Sequence, residues 1–342
     1  MKKIVLIFLS LAFIMISYGV CKPDEDPYNI NVLVLKYFPV TLKDGQQHID
    51  INVTQDWEDT LENTRNKTNL ITQQLVSTLE DSSIYHGYKD PSEKPSLKYT
   101  IVGELEFLQP LPTLPRLPGA DVTWTNYNAL LNRVNIKDWV MHKGVKEVWI
   151  WGYQGYKNVG IYESNMSGPY GNISNGSRRL GDMPLLDKTY TVYTYNYQRG
   201  LSEALEDHMH QIENVLKEVD RSLFWDKFVG DYASDPVLHP VRRCGWAHYP
   251  PNGRKDYDWA DMLNVQTDIE NWQPDGGRLQ TMNCTHWGCS EGEGAQWFHY
   301  WMQNLPGRNN GIMYHGKALT NWWVYIGDFD NAMANKVGLV EH

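Results

Sequence analysis

Apolar and polar positions alternate from Thr191 to Asn196, with Thr191, Tyr193 and Tyr195 on one side and Val192, Thr194 and Asn196 on the other. That period of two predicts a strand. After Arg199-Gly200 the period changes. Leu201, Leu205, Ile212, Val215, Leu216 and Val219 recur at helical spacing and predict an amphipathic helix over 199–219. Similar readings predict strands at Asn29–Val40, Lys98–Leu108 and Lys146–Gly152, and helices at Gln55–Glu80, capped by Thr54 and Asp56, and Tyr127–His142. The proline-rich stretch 110–118 reads as an extended linker. The order β-α-β-α-β-loop-β-α predicts an α/β fold: a layered, mostly parallel sheet with flanking helices over about residues 29–229. Beyond, to residue 342, the period is lost apart from a helix at Glu293–Asn304 and an apolar run at Asn321–Ile326 that is strand or helix. A long irregular C-terminal part of one single domain is expected.

The first 21 residues stand apart. Lys2-Lys3 precedes an apolar run from Ile4 to Ile16 and small residues near Gly19, the pattern of a signal peptide cleaved between Gly19 and Lys22. No later segment is long and apolar enough to span a membrane, so residues 22–342 are expected as one secreted, extracellular domain. Six sequons, at Asn52, Asn66, Asn165, Asn172, Asn175 and Asn283, suit a glycoprotein. In an oxidising compartment a disulfide is expected. Cys284–Cys289 would close a small loop, whereas Cys244–Cys284 would clip the irregular segment and is preferred. The net charge of −10 argues against nucleic acid as a partner. Fourteen Trp and twenty-one Tyr lean towards polar, ring-shaped ligands, because such side chains join an apolar face to a polar handle.

The helix after the turn carries the first candidate chemistry. Glu206, His210 and Glu213 fall within roughly 60° of one another on its polar face. Two carboxylates and an imidazole so placed can hold a divalent metal, Zn or Ca, or act as acid and base. The run Glu206-Asp207-His208-Met209-His210 is a degenerate HExxH zinc-peptidase helix. Glu206 stands at the first His, Asp207 at the base, and His210 at the second His; His208 turns towards the apolar stripe. In an open α/β sheet ligands bind beyond the carboxyl ends of strands. That rule brings in Glu163, after the Lys146–Gly152 strand, and Tyr195, Tyr197 and Arg199, which would orient a polar substrate. His248 is a further candidate ligand or base from the irregular part. Asp256, Asp258 and Asp261 form an acidic turn that an oxygen-ligated cation such as Ca²⁺ could use.

The set VWIWG, YESNMSGP, YNYQRG, HQIE, CGWAHYPPNGRKDYDW and TNWW, spread from about Val145 to Asp328, resembles an uncharacterised family of secreted bacterial and eukaryotic proteins. In that family the helix is closer to a zinc-peptidase helix, with His where this chain has Glu206. The resemblance implies secretion and a site on this helix, and Glu206 is its departure at the metal. Three functions stay open. One is a metal-dependent hydrolase of a polar small molecule, glycan or peptide, using Glu206, His210, Glu213, Glu163, Arg199 and His248. Another is an extracellular or cell-surface protein that binds glycans or proteins without catalysis. The last is a glycosidase pairing Glu163 with Asp256, Asp258 or Glu270.

Overall fold

The computed structural model describes residues 26–55, 57–154, 159–175, 181–230, 243–290 and 294–342. The signal-peptide segment and its cleavage point lie outside the described residues. The ordered framework is β1 (Tyr28–Tyr37), α1 (Leu61–Ser82), β2 (Leu97–Phe107), α2 (Tyr127–Arg133), α3 (Ile136–His142), β3 (Val145–Gly152), β4 (Ser164–Ser167), β5 (Tyr190–Asn196), α4 (Leu201–Val219) and α5 (Ala295–Met302). The fold is α/β. Five strands form one sheet in the order β2-β1-β3-β5-β4, parallel except for β4, which runs antiparallel to β5 at the edge.

The near-continuous apolar runs in β1 and β3 place them centrally, since an inner strand of a parallel sheet is covered on both faces. From Val148 to Gly152 every residue of β3 is buried, and so is all of β5. Tyr195 and Tyr197 are therefore core residues: the Tyr195 hydroxyl bonds His208 at 2.7 Å, and neither ring reaches a substrate. The predicted strands match β1, β2, β3 and β5 closely. Helix α1 starts later than its caps suggested, because the chain from Ile51 makes one turn and is stopped at Gln55 in the left-handed region. Thr60 is its true cap, accepting from the Asn63 amide at 3.1 Å. The single helix expected over 127–142 breaks at Asn135, whose φ is +51°.

The irregular part holds a small antiparallel pair, Val265–Thr267 with Gln280–Met282, and short helical turns. The Asn321–Ile326 run is helical at its end, leading into Val324–Gly327. Its tryptophans explain how so little regular structure stays packed. The indole N–H of Trp259 donates to the Ala247 carbonyl, Trp287 to Trp259, Trp297 to Trp246, Trp301 to Gly245 and Trp272 to Lys227, all at 2.8–3.1 Å. Buried carbonyls outside the main sheet need donors, and buried indoles need an acceptor; the Trp246 carbonyl takes the Trp297 indole as well as the Tyr249 amide. These five rings are thus framework, not a ligand platform.

The preferred Cys244–Cys284 disulfide is not formed; Cys284 pairs with Cys289. A tight turn, with Gly288 at φ +116° and the Cys284 carbonyl accepting from Trp287, Gly288 and Cys289, folds the short loop back on itself. Cys244 is buried, its amide bound to the Phe228 carbonyl. Of the six sequons, Asn165 is fully buried in β4, so it cannot carry a glycan as expected. Asn52, Asn66 and Asn172 are exposed. Asn283 is half-buried and caps a turn, accepting from the Thr285 amide. Glycopeptide mapping of the protein expressed through a eukaryotic secretory route should find sugar at one or more of the three exposed sites and none at Asn165; glycan on Asn165 would contradict the buried strand. Among the described residues no helix is long and apolar enough to cross a membrane.

Candidate metal centre

Helix α4 begins at the carboxyl end of β5 and packs its apolar stripe, including Leu205, Ile212, Val215 and Leu216, into the core. His208, on the inner side, stacks on Tyr193 with ring centroids 3.9 Å apart; burial holds its pKa down at about 3, so it is a neutral core residue. The other side does not face open water. The segment from Arg243 to Asp261 folds over it, and that roof makes the site.

The roof is anchored by backbone pairing. Cys244 and Gly245 donate to the carbonyls of Phe228 and Val229, and Trp246 and Tyr249 pair reciprocally. Gly245 has φ +70°, and a Cβ there would stand 2.3 Å from the Tyr249 carbonyl oxygen, so the turn admits only glycine. The turn delivers His248 above α4. Nε2 of His248 lies 3.1 Å from Nε2 of His210 and 3.2 Å from Oε1 of Glu206, which is 3.6 Å from the same nitrogen of His210. Four ligands around a tetrahedral ion at 2.0–2.1 Å stand about 3.3–3.4 Å apart, so these three atoms have the right spread for one metal. Among the described residues they form the one group of three or more His, Cys, Asp and Glu side chains able to share an ion.

The supporting contacts decide which nitrogens face the centre. Nδ1 of His210 lies 3.1 Å from Oε2 of Glu213, and Nδ1 of His248 lies 2.9 Å from Oδ1 of Asp256. An ionised carboxylate only accepts, so both Nδ1 atoms carry hydrogen. The two Nε2 lone pairs then point at each other and repel unless a proton or a metal sits between them. Carboxylate-backed imidazoles of this kind are the usual outer shell of a metal site. The other oxygen of Glu213 accepts from the Ala247 amide at 2.7 Å, tying the roof to the helix. Glu213, expected as a ligand, stands behind the His210 ring, and His248 takes its place. A spacing of three from His210 puts Glu213 at Nδ1, whereas the spacing of four puts Glu206 at Nε2.

Charge follows the same arrangement. Burial opposes ionisation of Glu206, yet the imidazoles of His210 and His248, which donate to it from Nε2 only when protonated, bring its pKa down to about 2. Burial likewise opposes charge on His210, but its bonds to Glu206 and Glu213 carry its pKa up to about 10. In the absence of metal the centre is therefore a proton held among carboxylates, and a divalent ion competes for that place.

The centre opens on a cleft of about 360 Å³ lined by Glu163, Asn175, Asn214, Trp246 and Tyr257 among others. Glu163 accepts a hydrogen bond from Asn175 Nδ2, the atom a glycan would use; Asn175 Oδ1 is 3.5 Å from the Asn214 amide nitrogen. Tyr257 lays its ring 4.3 Å from that of His248. Burial first, then the nearby Glu206 and Asp256 charges, raise its hydroxyl pKa and keep it a donor. Arg199 is left out: it sits at the exposed start of α4, 3.9 Å from Glu203. The helix runs back from the sheet edge, so its first residue, Leu201, and His210 are about 14 Å apart along the axis, with Arg199 before it. The acidic turn is not a cation site. Asp261 pairs with Arg254 at 2.7 Å, Asp258 accepts from the Arg254 amide, and Asp256 serves His248. Glu270 bonds Tyr300 and Lys89 and does not line the cleft.

No family model, curated protein or solved structure matches the chain.

Proposed function

We propose that this protein is an exported metal-dependent hydrolase whose ion is held by Glu206, His210 and His248. The carrying observation is the convergence of two imidazole nitrogens and one carboxylate oxygen within 3.1–3.6 Å, with each Nδ1 already bound to a carboxylate. Two imidazoles and a carboxylate suit zinc or a similar transition metal and do not suit Ca²⁺, which takes oxygen ligands. Three protein ligands would leave room for a water, and a bound ion would supply the acidity such a water needs. Glu163, positioned by Asn175, would accept a proton there, and Tyr257 would donate to the oxyanion side. The cleft has a polar wall at Asn175 and Asn214 and aromatic rings at Trp246 and Tyr257, a lining that suits a glycan or peptide better than a purely apolar ester.

Two further features support the reading. The motifs YESN, HQIE and CGWAHYPPNGRKDYDW each contribute residues to the lining of this cleft. The N-terminal pattern and the Cys284–Cys289 disulfide suit an exported protein. The test is a hydrolysis screen with p-nitrophenyl esters, acetylated chito-oligosaccharides and peptides. Activity should vanish on chelation and return with zinc, manganese or cobalt. Glu163→Gln should lower turnover by about 10²–10⁴ with metal content unchanged. Full activity in the chelated protein, or in Glu163→Gln, would overturn the assignment.

A further inference from the structure

The amino end of the sheet holds a second hollow, of about 630 Å³, that the chemistry above does not use. That size lies within the range of small-molecule sites, about 300–1,000 Å³. Its walls come from the starts of β3 and β5, from Val215 on α4, from Met166 on β4 and from the C-terminal turn around Phe329. Glu147 lines it and is only 3% exposed.

Glu147 breaks the pattern of its strand. β3 is otherwise the apolar centre of the sheet, and Glu147 shares a face with Trp149 and Trp151. A carboxylate so placed needs a cation or a proton. The protein gives it two neutral donors, the Trp149 indole at 2.8 Å and the Tyr99 hydroxyl at 3.5 Å. Lys146, next in sequence, donates instead to the Gly327 carbonyl. Among the described residues Glu147 has no ion pair. The rest of the lining is aromatic and apolar where it is deep, with Tyr190 and Tyr193, whose ring faces attract cations. Its rim carries Asp187, Asp328 and Asp330 against Lys146 and Lys188, so acids outnumber bases there.

We propose that this hollow is a binding site for a small organic ammonium compound, an amine on an aromatic or branched apolar body, with its cation on the Glu147 carboxylate. The ammonium would take the place of the proton that the buried carboxyl otherwise holds, and the body would fill the space between Tyr190, Tyr193 and Val215. The site is separate from the metal centre and stands whether or not the chain is a hydrolase.

The experiment is calorimetric titration of the full exported chain with 2-phenylethylamine and with 2-phenylethanol, which has the same body and no charge. The amine should bind saturably, at least about tenfold tighter than the alcohol, the ratio one buried charge-assisted hydrogen bond supplies. Glu147→Gln keeps the shape of the side chain and should erase that ratio. Val215→Trp, which fills the hollow, should weaken both ligands. Equal binding of amine and alcohol to the unmodified protein, no binding of either at millimolar concentration, or an undiminished ratio in Glu147→Gln would each overturn the proposal. The first two comparisons need no variant, so a Glu147→Gln protein that fails to fold leaves the outcome decided.

Discussion

His248→Ala should strip the chain of its metal and leave its fold in place. The His248 side chain is 21% exposed; Asp256, Trp246 and Tyr257 hold it from its own roof segment, and Glu206 and His210 meet its Nε2 from α4 without tying it into the apolar core. Removing it takes nothing from the core, so the stability of the metal-free protein should change by about 1 kcal/mol or less. Metal affinity should fall by more than about a hundredfold, because loss of an outer-shell partner alone costs about 10–100-fold. Glu213→Ala should cost chiefly stability, with only the smaller, outer-shell loss of metal affinity of about 10–100-fold. It leaves the Ala247 amide and His210 Nδ1 without their acceptor in a buried place, and removing one partner of a buried pair costs about 3–5 kcal/mol. Urea melts in chelator, paired with metal content after desalting, separate the two. Unchanged metal retention in His248→Ala would remove that residue from the centre.

The second large effect belongs to Glu147. Burial raises its pKa to about 8, against an ordinary 4.5 in the unfolded chain. The folded protein therefore holds this proton more tightly. Its contribution to stability is complete below about pH 4.5 and is lost as pH rises through about 8. At 1.36 kcal/mol per unit, the whole loss is about 5 kcal/mol. Tyr99 on β2, Lys146 on β3, and Tyr193 and Tyr195 on β5 are the ionisable groups around it; the tyrosines stay neutral there, since burial raises each of them further. Glu203 is also raised by burial, to about 7, and adds a slope of the same sign. The difference between the unmodified protein and Glu147→Gln isolates the first slope. Glu147→Gln should be the more stable of the two at pH 9 and lose its advantage at pH 5. Parallel stability curves for the two proteins across this range would show that Glu147 ionises normally.

Long periodic stretches made the α/β core legible. β3 and β5 read as strands because their apolar and β-branched runs have no competing period, and α4 because its stripe is continuous for five turns. Their order in the sheet did not follow from the pattern, since nothing in a strand's own residues names its neighbour. The break at Asn135 was hidden because asparagine enters the left-handed region without a glycine to announce it. The irregular part was readable as irregular, but its packing was not: tryptophans that suggested ring-shaped ligands turned out to be donors to carbonyls outside the main sheet. At the metal centre, helical spacing placed Glu206, His210 and Glu213 on one face. It could not say which nitrogen of His210 each acid meets, and that choice makes one acid a ligand and the other its support. His248 and Asp256 come from a roof whose position depends on Gly245 and on pairing to Phe228 and Val229, contacts of long range that no local period records. Asn175 reads in the sequence only as a glycan acceptor, and its Nδ2 also donates to Glu163, a contact no local pattern records.

The central claim is that Glu206, His210 and His248 are three ligands of one transition metal. Anomalous diffraction at the zinc edge, from crystals of the protein equilibrated with zinc, tests it most directly. The expected map has one strong peak about 2.0–2.2 Å from Oε1 of Glu206 and from Nε2 of both histidines, with Glu213 and Asp256 still on the Nδ1 atoms. Zinc found elsewhere, or no peak between the two Nε2 atoms while His210 and His248 keep their places, would contradict it.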